Sequence, residues 1–276
     1  GIFPPSVLLD DRWENLTGAP VVVEYLVRPI NSVTGCIGDP PLPVQVTVNP
    51  QPVITSPTSE TICSGNSPTI TFTSSISGST FTWIVKSVSG LITGANNGSG
   101  STINNVLVNN GTTPGTVTYE VYATGPAALG GCPSDPVDVV ITVDPAPTAN
   151  NVLQTVCSDS PGGNTFFIDL TTLQTSINSG GGVTFSWFED LALTTPIGTP
   201  TAYTLTNGVP VYANVDNGQC TKVATVQFTI NPRPSVTASV TSNYNGFNVS
   251  CAGAADGQIT ASAANGTSPY QFSIDG

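Results

Sequence analysis

The sequence has 276 residues, of which 8% are charged, and its formal net charge at neutral pH is −12. Its five basic residues are scattered singly, so nucleic acid and anionic membrane surfaces are poor partners. Histidine and methionine are absent, and no apolar run approaches the ~18 residues of a membrane-spanning helix. This composition is typical of an extracellular β-protein, and we expect no nucleic-acid partner and no membrane insertion.

Residues 1–50 are predicted to be the C-terminal part of an immunoglobulin-like repeat. A strand is predicted over 19–27, followed by a loop with Cys36 and a closing strand. Trp13 is expected to be a partly buried packing residue. Because the sequence opens inside a repeat, we expect it to be a piece of a longer chain.

Residues 51–145 are predicted to be a complete module. Short runs of β-branched and aromatic residues alternate with Ser-Gly and Asn-Gly turns, which is typical of a β-sandwich. The predicted strands cover 69–73, 80–85, 106–108, 116–122 and 137–143.

Residues 146–232 repeat this plan, and residues 233–276 begin a further module. Asp216-Asn217-Gly218 predicts a tight hairpin before the last strand of the repeat. Because threonine and serine are poor interior helix residues, the segment 170–177 is predicted to form at most a short loop helix.

An aromatic pair at positions i and i+2 recurs in three successive modules. Side chains two positions apart in a strand lie on one face of the sheet. We therefore predict that each pair anchors a sandwich core rather than binding a ligand. The pairs are Phe81/Trp83, Phe185/Trp187 and Tyr270/Phe272.

Each module closes in the same way, with a loop cysteine, a strand and a proline-rich exit. The closing prolines Pro50, Pro145 and Pro232 are about 90 residues apart, close to the ~100 residues of an immunoglobulin-like sandwich. Proline stops strand pairing and favours an extended chain on both sides. The fold class predicted is all-β, with tandem immunoglobulin-like β-sandwich domains in an extended rod.

The six cysteines recur once near the start and once near the end of each module, as secreted disulfide frameworks do. The favoured pairs are Cys63–Cys132 and Cys157–Cys220, with Cys36 and Cys251 paired outside the sequence. The rival pairs cross each junction and are Cys36–Cys63, Cys132–Cys157 and Cys220–Cys251. Loop entropy gives about 4.4 kcal/mol for the first kind and ~3.6 kcal/mol for the second, a gap too small to choose between them.

Catalytic motifs are absent from the sequence. The lack of histidine removes the usual general base of serine and cysteine hydrolases and most zinc sites, and no nucleophile elbow or P-loop occurs. The neighbouring carboxylates Asp10/Asp11 and Glu189/Asp190 would point to opposite faces of a strand, which suits paired acid/base work poorly. We expect no catalytic residue and no enzyme activity.

Acidic module ends are the remaining candidates for metal binding, because carboxylate oxygens could gather around calcium there. The candidates are Asp135, Asp138 and Asp144, or Asp190 with Asp216. No EF-hand loop is present, so solvated acidic loops are favoured and no cofactor is expected. Lys86 and Lys222 could each form an isopeptide crosslink with an asparagine, but plain surface lysines are favoured.

The recurring motifs resemble a known class of surface-protein repeat. Thr-Ile-Cys-Ser-Gly (61–65), Thr-Val-Cys-Ser-Asp (155–159) and the closing Val-x-Val-Asn/Asp-Pro-x-Pro resemble the PKD-like and immunoglobulin-like repeats of giant Bacteroidota surface proteins. Residues 249–257, followed by Ser-Pro-Tyr-Gln-Phe-Ser (268–273), resemble the start of a SprB-type repeat. That repeat is named for a gliding-motility adhesin exported by the type IX secretion system.

The resemblance implies a structural stalk segment of a very large secreted cell-surface adhesin, used for surface attachment or gliding motility. It implies extracellular polysaccharide as a partner, bound through avidity. It also implies that the type IX secretion and outer-membrane attachment machinery act on regions outside this sequence. The alternative is an accessory immunoglobulin-like region of a large secreted enzyme that degrades polysaccharide or protein.

Overall fold

The computed structural model describes residues 12–274 and divides into two compact units, Gly1–Ala146 and Pro147–Gly276. Strands and isolated β-bridges account for 45% of the described residues and helix for 4%, so the predicted all-β, immunoglobulin-like fold is confirmed. The finer division into 1–50, 51–145, 146–232 and 233–276 stays a prediction, as does the extended rod.

The first unit opens with an antiparallel pair, β1 (Val21–Val27) and β2 (Leu42–Val48). The side chain of Asn15 fixes the start of this pair by donating to the carbonyls of Ala19 at 2.9 Å and Val48 at 2.8 Å. None of the residues in the two strands is fully buried.

We call residues 51–145, the predicted complete module within the first unit, the first module. Its strands are β3 (Ser59–Cys63), β4 (Thr80–Ser89), β5 (Ile92–Thr93), β6 (Gly98–Ser99), β7 (Val108–Asn109), β8 (Gly115–Thr124) and β9 (Val137–Asp144). A five-stranded sheet has the order β3-β9-β8-β4-β6, and β5 pairs with β7 in a second sheet. A single 3-10 turn covers Ala127–Leu129.

The core of the first module follows from the two-residue period of its central strand. Every second residue of β8 is buried, because alternate side chains of a strand face one side of the sheet. Three aromatic rings fill the space above it, and Phe72 lies with its centroid 5.6 Å from Phe81 and 5.8 Å from Trp83.

We call residues 146–232 the second module, and all of it from Pro147 onwards lies in the second unit. Its strands are β10 (Val152–Pro161), β11 (Thr165–Ile168), β12 (Thr184–Phe188), β13 (Tyr203–Thr206), β14 (Val211–Asp216) and β15 (Thr221–Arg233). A four-stranded sheet has the order β10-β15-β14-β12, and β11 pairs with β13.

A short helical segment lies between β11 and β12, as the sequence predicts. A 3-10 turn over Leu170–Leu173 leads into α1 (Gln174–Ile177). Asp169 caps it by accepting a hydrogen bond from the backbone N–H of Thr171 at 2.9 Å. Leu170 and Ile177 are fully buried, so the segment fills the core of the second module.

After the second module, the chain forms an antiparallel pair of β16 (Ser235–Val240) and β17 (Ile259–Ala264). Residues 241–258 connect the two strands at the end remote from Ser235, and none of the strand residues is fully buried.

Both complete modules place their first strand parallel to their last strand. In the first module β3 runs parallel to β9, and in the second β10 runs parallel to β15. Two parallel neighbours begin at the same end of a sheet and finish at the other. The chain therefore comes into each module at one end and leaves it at the opposite end.

Candidate functional site at the module ends

The ends of the modules carry the cysteines. We call the end at which a module's first and last strands begin its upstream end, and the end at which they finish its downstream end. This definition follows the parallel pairing of first and last strands and applies to each module separately.

The cysteine near the start of each complete module lies at that module's downstream end. Cys63 is the last residue of β3 and pairs with Asp144, the last residue of β9. Cys157 lies within β10 and pairs with Asn231, near the end of β15.

The cysteine near the end of each complete module lies at its upstream end. Cys132 precedes β9, and its carbonyl accepts a hydrogen bond from Gly125 N–H at 2.9 Å. Cys220 directly precedes β15, is 2% exposed, and donates its N–H to the side chain of Asn217 at 2.8 Å.

The hairpin predicted at Asp216-Asn217-Gly218 positions Cys220. The carboxylate of Asp216 accepts a hydrogen bond from Gly218 N–H at 2.7 Å. Gly218 has a φ of +86°, a conformation that favours glycine. The turn thus places Cys220 directly before the first residue of the last strand, β15.

The disulfide pairs favoured by the sequence are not formed. Cys63 and Cys220 are each disulfide-bonded. The cysteines that carry free thiols are Cys36, Cys132, Cys157 and Cys251. The pairs Cys63–Cys132 and Cys157–Cys220 are therefore corrected, and the rival pairs Cys36–Cys63, Cys132–Cys157 and Cys220–Cys251 are not formed either.

Strand polarity explains this correction. Cys63 lies beside the end of β9, whereas Cys132 lies before its beginning, and β9 has 8 residues. A strand rises ~3.3 Å per residue, so these cysteines are separated by roughly 25 Å, far above the ~7 Å that a disulfide can bridge. Cys157 and Cys220 lie at opposite ends of the longer strand β15 for the same reason.

The acidic residues considered for calcium are used in separate local contacts. Asp138 and Asp144 lie near opposite ends of β9. Asp190 accepts hydrogen bonds from the backbone N–H groups of Thr194 and Thr195, and these bonds lower the pKa of Asp190. Among residues 12–274, no group of three or more His, Cys, Asp or Glu side chains is placed to hold a metal ion. The absence of a cofactor stays a prediction.

Lys86 has carboxylate partners rather than an asparagine partner. Its Nζ lies 2.7 Å from Asp138 and 3.4 Å from Glu120. The hydrogen bond to Asp138 raises the pKa of Lys86, so the amine stays protonated at neutral pH. A protonated amine is not a nucleophile, which argues against an isopeptide bond at this lysine.

The carboxylate pairs do not form an acid/base site in the described part of the chain. Glu189 accepts a hydrogen bond from the hydroxyl of Tyr203 at 3.2 Å, while Asp190 is engaged by its own loop. Asp10 and Asp11 lie outside the described residues.

An open surface groove carries no carboxylate, imidazole, amine or thiol among the residues that line it. It has a volume of about 460 Å³ and lies in the second unit. The lining residues are Asn231, Pro232, Pro234, Thr267, Pro269, Tyr270 and Gln271. The groove offers prolines, amides, the hydroxyl of Thr267 and the phenol of Tyr270, which can contact a ligand through apolar surface and hydrogen bonds.

Two of the three aromatic pairs are core anchors, as predicted. Trp83 is 5% exposed and Trp187 is 3% exposed. The third pair is a correction, because Phe272 is 53% exposed and lies outside any strand. Trp13 is also corrected, since it is 54% exposed and donates its indole N–H to the hydroxyl of Tyr25 at 2.7 Å.

Three family models match successive parts of the chain. Residues 60–147 match the PKD-like domain, 153–234 the Flavobacterium inter-domain disulphide bond domain, and 247–276 the SprB repeat. These matches support a Bacteroidota SprB-type, adhesin-like repeat region. The resemblance found in the sequence is thereby confirmed, and the chain is a structural region of the kind found in gliding adhesins.

Solved structures with some similarity are multidomain chains of low identity. The Drosophila N-cadherin EC1-4 structure is 8% identical, with a TM-score of 0.23, covering 77% of this chain and 59% of that one. The titin I9-I11 tandem is 11% identical, with a TM-score of 0.24, covering 79% and 95%. The Down Syndrome Cell Adhesion Molecule structure is 11% identical, with a TM-score of 0.25, covering 92% and 43%.

The search of curated proteins gave no match. The domain types found here are typical of non-catalytic structural regions. In the part of the chain that the structure describes, no helix has the length and apolarity needed to cross a membrane.

Proposed function

We propose that this chain is a stalk segment of a very large secreted cell-surface adhesin that serves attachment or gliding motility. One observation carries the proposal. Each complete module pairs its first and last strands in parallel, so the chain enters the module at one end and leaves it at the other. Modules with that polarity are suited to a series, in which each one adds reach.

The interiors of the modules support a structural role. The buried side chains of each complete module form one hydrophobic cluster committed to its own fold. The charged side chains described above are engaged in ion pairs and turn hydrogen bonds. We propose that this region has no catalytic activity and no resident cofactor.

We further propose that Cys63 and Cys220 are bonded to one another. They are the two disulfide-bonded cysteines of the six, and one comes from each complete module. Cys63 lies at the downstream end of the first module, and Cys220 lies at the upstream end of the second. Such a bond would be a second covalent link across the junction, beside the backbone, and would restrain bending there.

The proposed partner is extracellular polysaccharide, bound weakly at many repeats. Linking many weak sites raises overall avidity by roughly 10² to 10⁴ without new interface chemistry. The type IX secretion and outer-membrane attachment machinery would act on other regions of the protein. The proposal has the repeats outside the cell, at the cell surface.

The test is a deletion strain compared with a strain that carries the restored full-length gene. We expect the deletion strain to lose attachment or surface-dependent movement and the restored strain to regain it. A deletion strain that attaches and spreads normally but fails to degrade a polymer would instead support an accessory region of a secreted enzyme.

A second measurement uses the purified chain on a polysaccharide panel. We expect no release of reducing sugar and at most millimolar glycan binding by a single chain. Hydrolysis by the purified chain would contradict the proposal.

A further inference from the structure

The open groove of the second unit is formed by two segments that are remote in the sequence. One wall is the end of β15 and the residue that links it to β16, and it contributes Asn231, Pro232 and Pro234. The other wall is the loop after β17, which contributes four residues between Thr267 and Gln271. The lining residues are exposed apart from Tyr270, which is half-buried. A ligand can therefore reach the groove directly from solvent.

Contacts between the two walls fix the shape of the groove. The side-chain amide of Asn265 donates to the hydroxyl of Ser235, the first residue of β16, at 2.9 Å. Gly266 N–H donates to the hydroxyl of Tyr270 at 3.2 Å. A Cβ at Gly266 would lie 2.9 Å from the Cβ of Pro234 and 3.0 Å from the ring of Tyr270, so the walls meet closely at a glycine. The backbone of the groove is thus formed before a ligand binds, which lowers the entropic cost of binding.

The lining places flat apolar surface beside hydrogen-bonding groups. Three proline rings and the ring of Tyr270 supply the apolar surface. In the part of the chain that the structure describes, the side chains of Asn231, Thr267 and Gln271 hydrogen-bond no other residue. An amide both donates and accepts hydrogen bonds, and so does a hydroxyl. These side chains can therefore pair with a ligand without giving up a bond within the protein.

The charge of the groove and of the chain favours an uncharged ligand. None of the lining residues is ionised at neutral pH, and the formal net charge of the chain is −12. That net charge repels a polyanion. A neutral sugar ring matches the lining, because its C–H face is apolar and the hydroxyl groups around it donate and accept hydrogen bonds. The ligand class that fits the groove is therefore a neutral carbohydrate.

We propose that this groove is a binding site for a neutral polysaccharide, and the proposal rests on the polysaccharide partner proposed above. The ring of Tyr270 and the prolines contact the C–H face of a sugar unit, while Asn231, Thr267 and Gln271 hydrogen-bond its hydroxyl groups. Because the groove is open, a polymer can lie across it without presenting a chain end. An open groove covers only one side of a sugar chain, so each site binds weakly, and avidity over many sites makes such binding effective.

The experiment is a nuclear magnetic resonance titration of the isotopically labelled 276-residue chain. The neutral probes are cellohexaose, laminarihexaose and maltohexaose, and the anionic probe is hexagalacturonate, each added to about 20 mM so that millimolar binding is detected. We expect at least one neutral probe to shift the side-chain amide signals of Asn231 and Gln271, with a Kd on the order of 1 mM. Hexagalacturonate should leave these signals unchanged, because the chain carries a net negative charge.

Two variants locate the binding site. Asn231→Ala and Gln271→Ala each remove one hydrogen-bonding side chain from the groove, and we expect each to raise the Kd of the bound probe by about 3- to 10-fold. Asn248→Ala is the control, because Asn248 is exposed in the connection between β16 and β17 and its side chain bonds no other described residue. All three variants should keep the thermal unfolding midpoint of the original chain, so that a loss of binding is not a loss of folding.

The inference is overturned if no neutral probe shifts the two amide signals, or if hexagalacturonate binds more tightly than every neutral probe. If a neutral probe binds but neither groove variant weakens it, this site fails while the polysaccharide partner stands. If the groove variants lose binding but the deletion strain still attaches and moves normally, the proposed adhesin function fails and the groove remains a carbohydrate site.

Discussion

The two complete modules share strand polarity but fill their cores differently. The first module packs Phe72 against Phe81 and Trp83, with ring centroids 5.6 Å and 5.8 Å apart. The second module uses its short helical segment, where Leu170 and Ile177 are fully buried. Its own aromatic contact lies elsewhere, between Phe166 and Phe228, which stack at 6.1 Å.

The difference shows which features the repeat keeps. Core side chains can be exchanged when the total volume and the apolar pattern are kept. The parallel pairing of first and last strands is present in both modules, and with it the cysteine at each end. We therefore assign the core to stability and the ends to joining modules.

The largest expected effect comes from emptying either core. Phe72→Ala should lower the free energy of unfolding of the first module by about 4 kcal/mol, and Leu170→Ala should lower that of the second by about 3 kcal/mol, because each leaves a cavity. Peptide-level hydrogen exchange should show each loss in its own module. A Leu170→Ala variant with unchanged protection throughout the second module would show that the helical segment is not part of that core.

The next largest effect should come from alkaline pH, which should destabilise the first module. Burial raises the pKa of Tyr119 in the first module to about 12, so folding favours its neutral form. The contribution of Tyr119 to the free energy of unfolding is fully present below the ordinary tyrosine pKa of about 10. It is lost as pH rises toward 12, which lowers the free energy of unfolding by up to about 2.7 kcal/mol.

Urea unfolding between pH 9 and pH 12 measures this loss. Tyr119→Phe should flatten the pH dependence and should not destabilise the module at neutral pH, because the hydroxyl has no hydrogen-bond partner in the described part of the chain. Tyr203→Phe is the control in the second module. If Tyr119→Phe left the pH dependence unchanged, Tyr119 would not be the cause of the loss of stability at alkaline pH.

Two glycines test how tightly the loops are held. Gly94 has a φ of +95°, and a Cβ there would fall on the backbone oxygen of Val106, so Gly94→Ala should cost about 2 kcal/mol or more. Gly218 has a φ of +86° with open space around it, so Gly218→Ala should cost only about 1 kcal/mol. If the Gly94→Ala and Gly218→Ala variants had equal midpoints in thermal unfolding, the backbone near Gly94 would accommodate the added Cβ without a further loss of stability.

The smallest expected effect compares the two core tryptophans. The indole N–H of Trp83 donates to the carbonyl of Asn96 at 3.3 Å, whereas that of Trp187 has no partner among the described residues. Trp83→Phe should therefore destabilise its module by about 1 kcal/mol more than Trp187→Phe does. Urea unfolding followed module by module measures the difference, and the reverse order would contradict it.

Local signals were sufficient for much of the fold. Alternating apolar residues predicted β1, β4, β8 and β9, and the Asp-Asn-Gly sequence at 216–218 predicted the hairpin, because both depend on neighbours in the chain. The strand predicted over 69–73 does not form, since Thr71 makes only an isolated β-bridge there. The segment 170–177 was predicted to form no more than a short helix, because threonine and serine have poor helix propensity, and that property also depends on the local sequence.

The cysteine pairing could not be predicted in this way. Position along the chain does not show that Cys63 and Cys132 lie at opposite ends of a module. That fact depends on the parallel pairing of β3 with β9, whose residues are about 80 positions apart in the sequence. The aromatic pair at Tyr270 and Phe272 failed for a related reason, since no strand forms there.

Single-molecule stretching of the 276-residue chain by its two ends tests the central claim, a covalent link between modules, most directly. A Cys63–Cys220 bond shields everything between those cysteines from tension. At ~3.5 Å per residue, reduction should then release one length on the order of 50 nm. Two separate gains on the order of 20 nm each would indicate a bond within each module and contradict the account, as would equal extension with and without reductant.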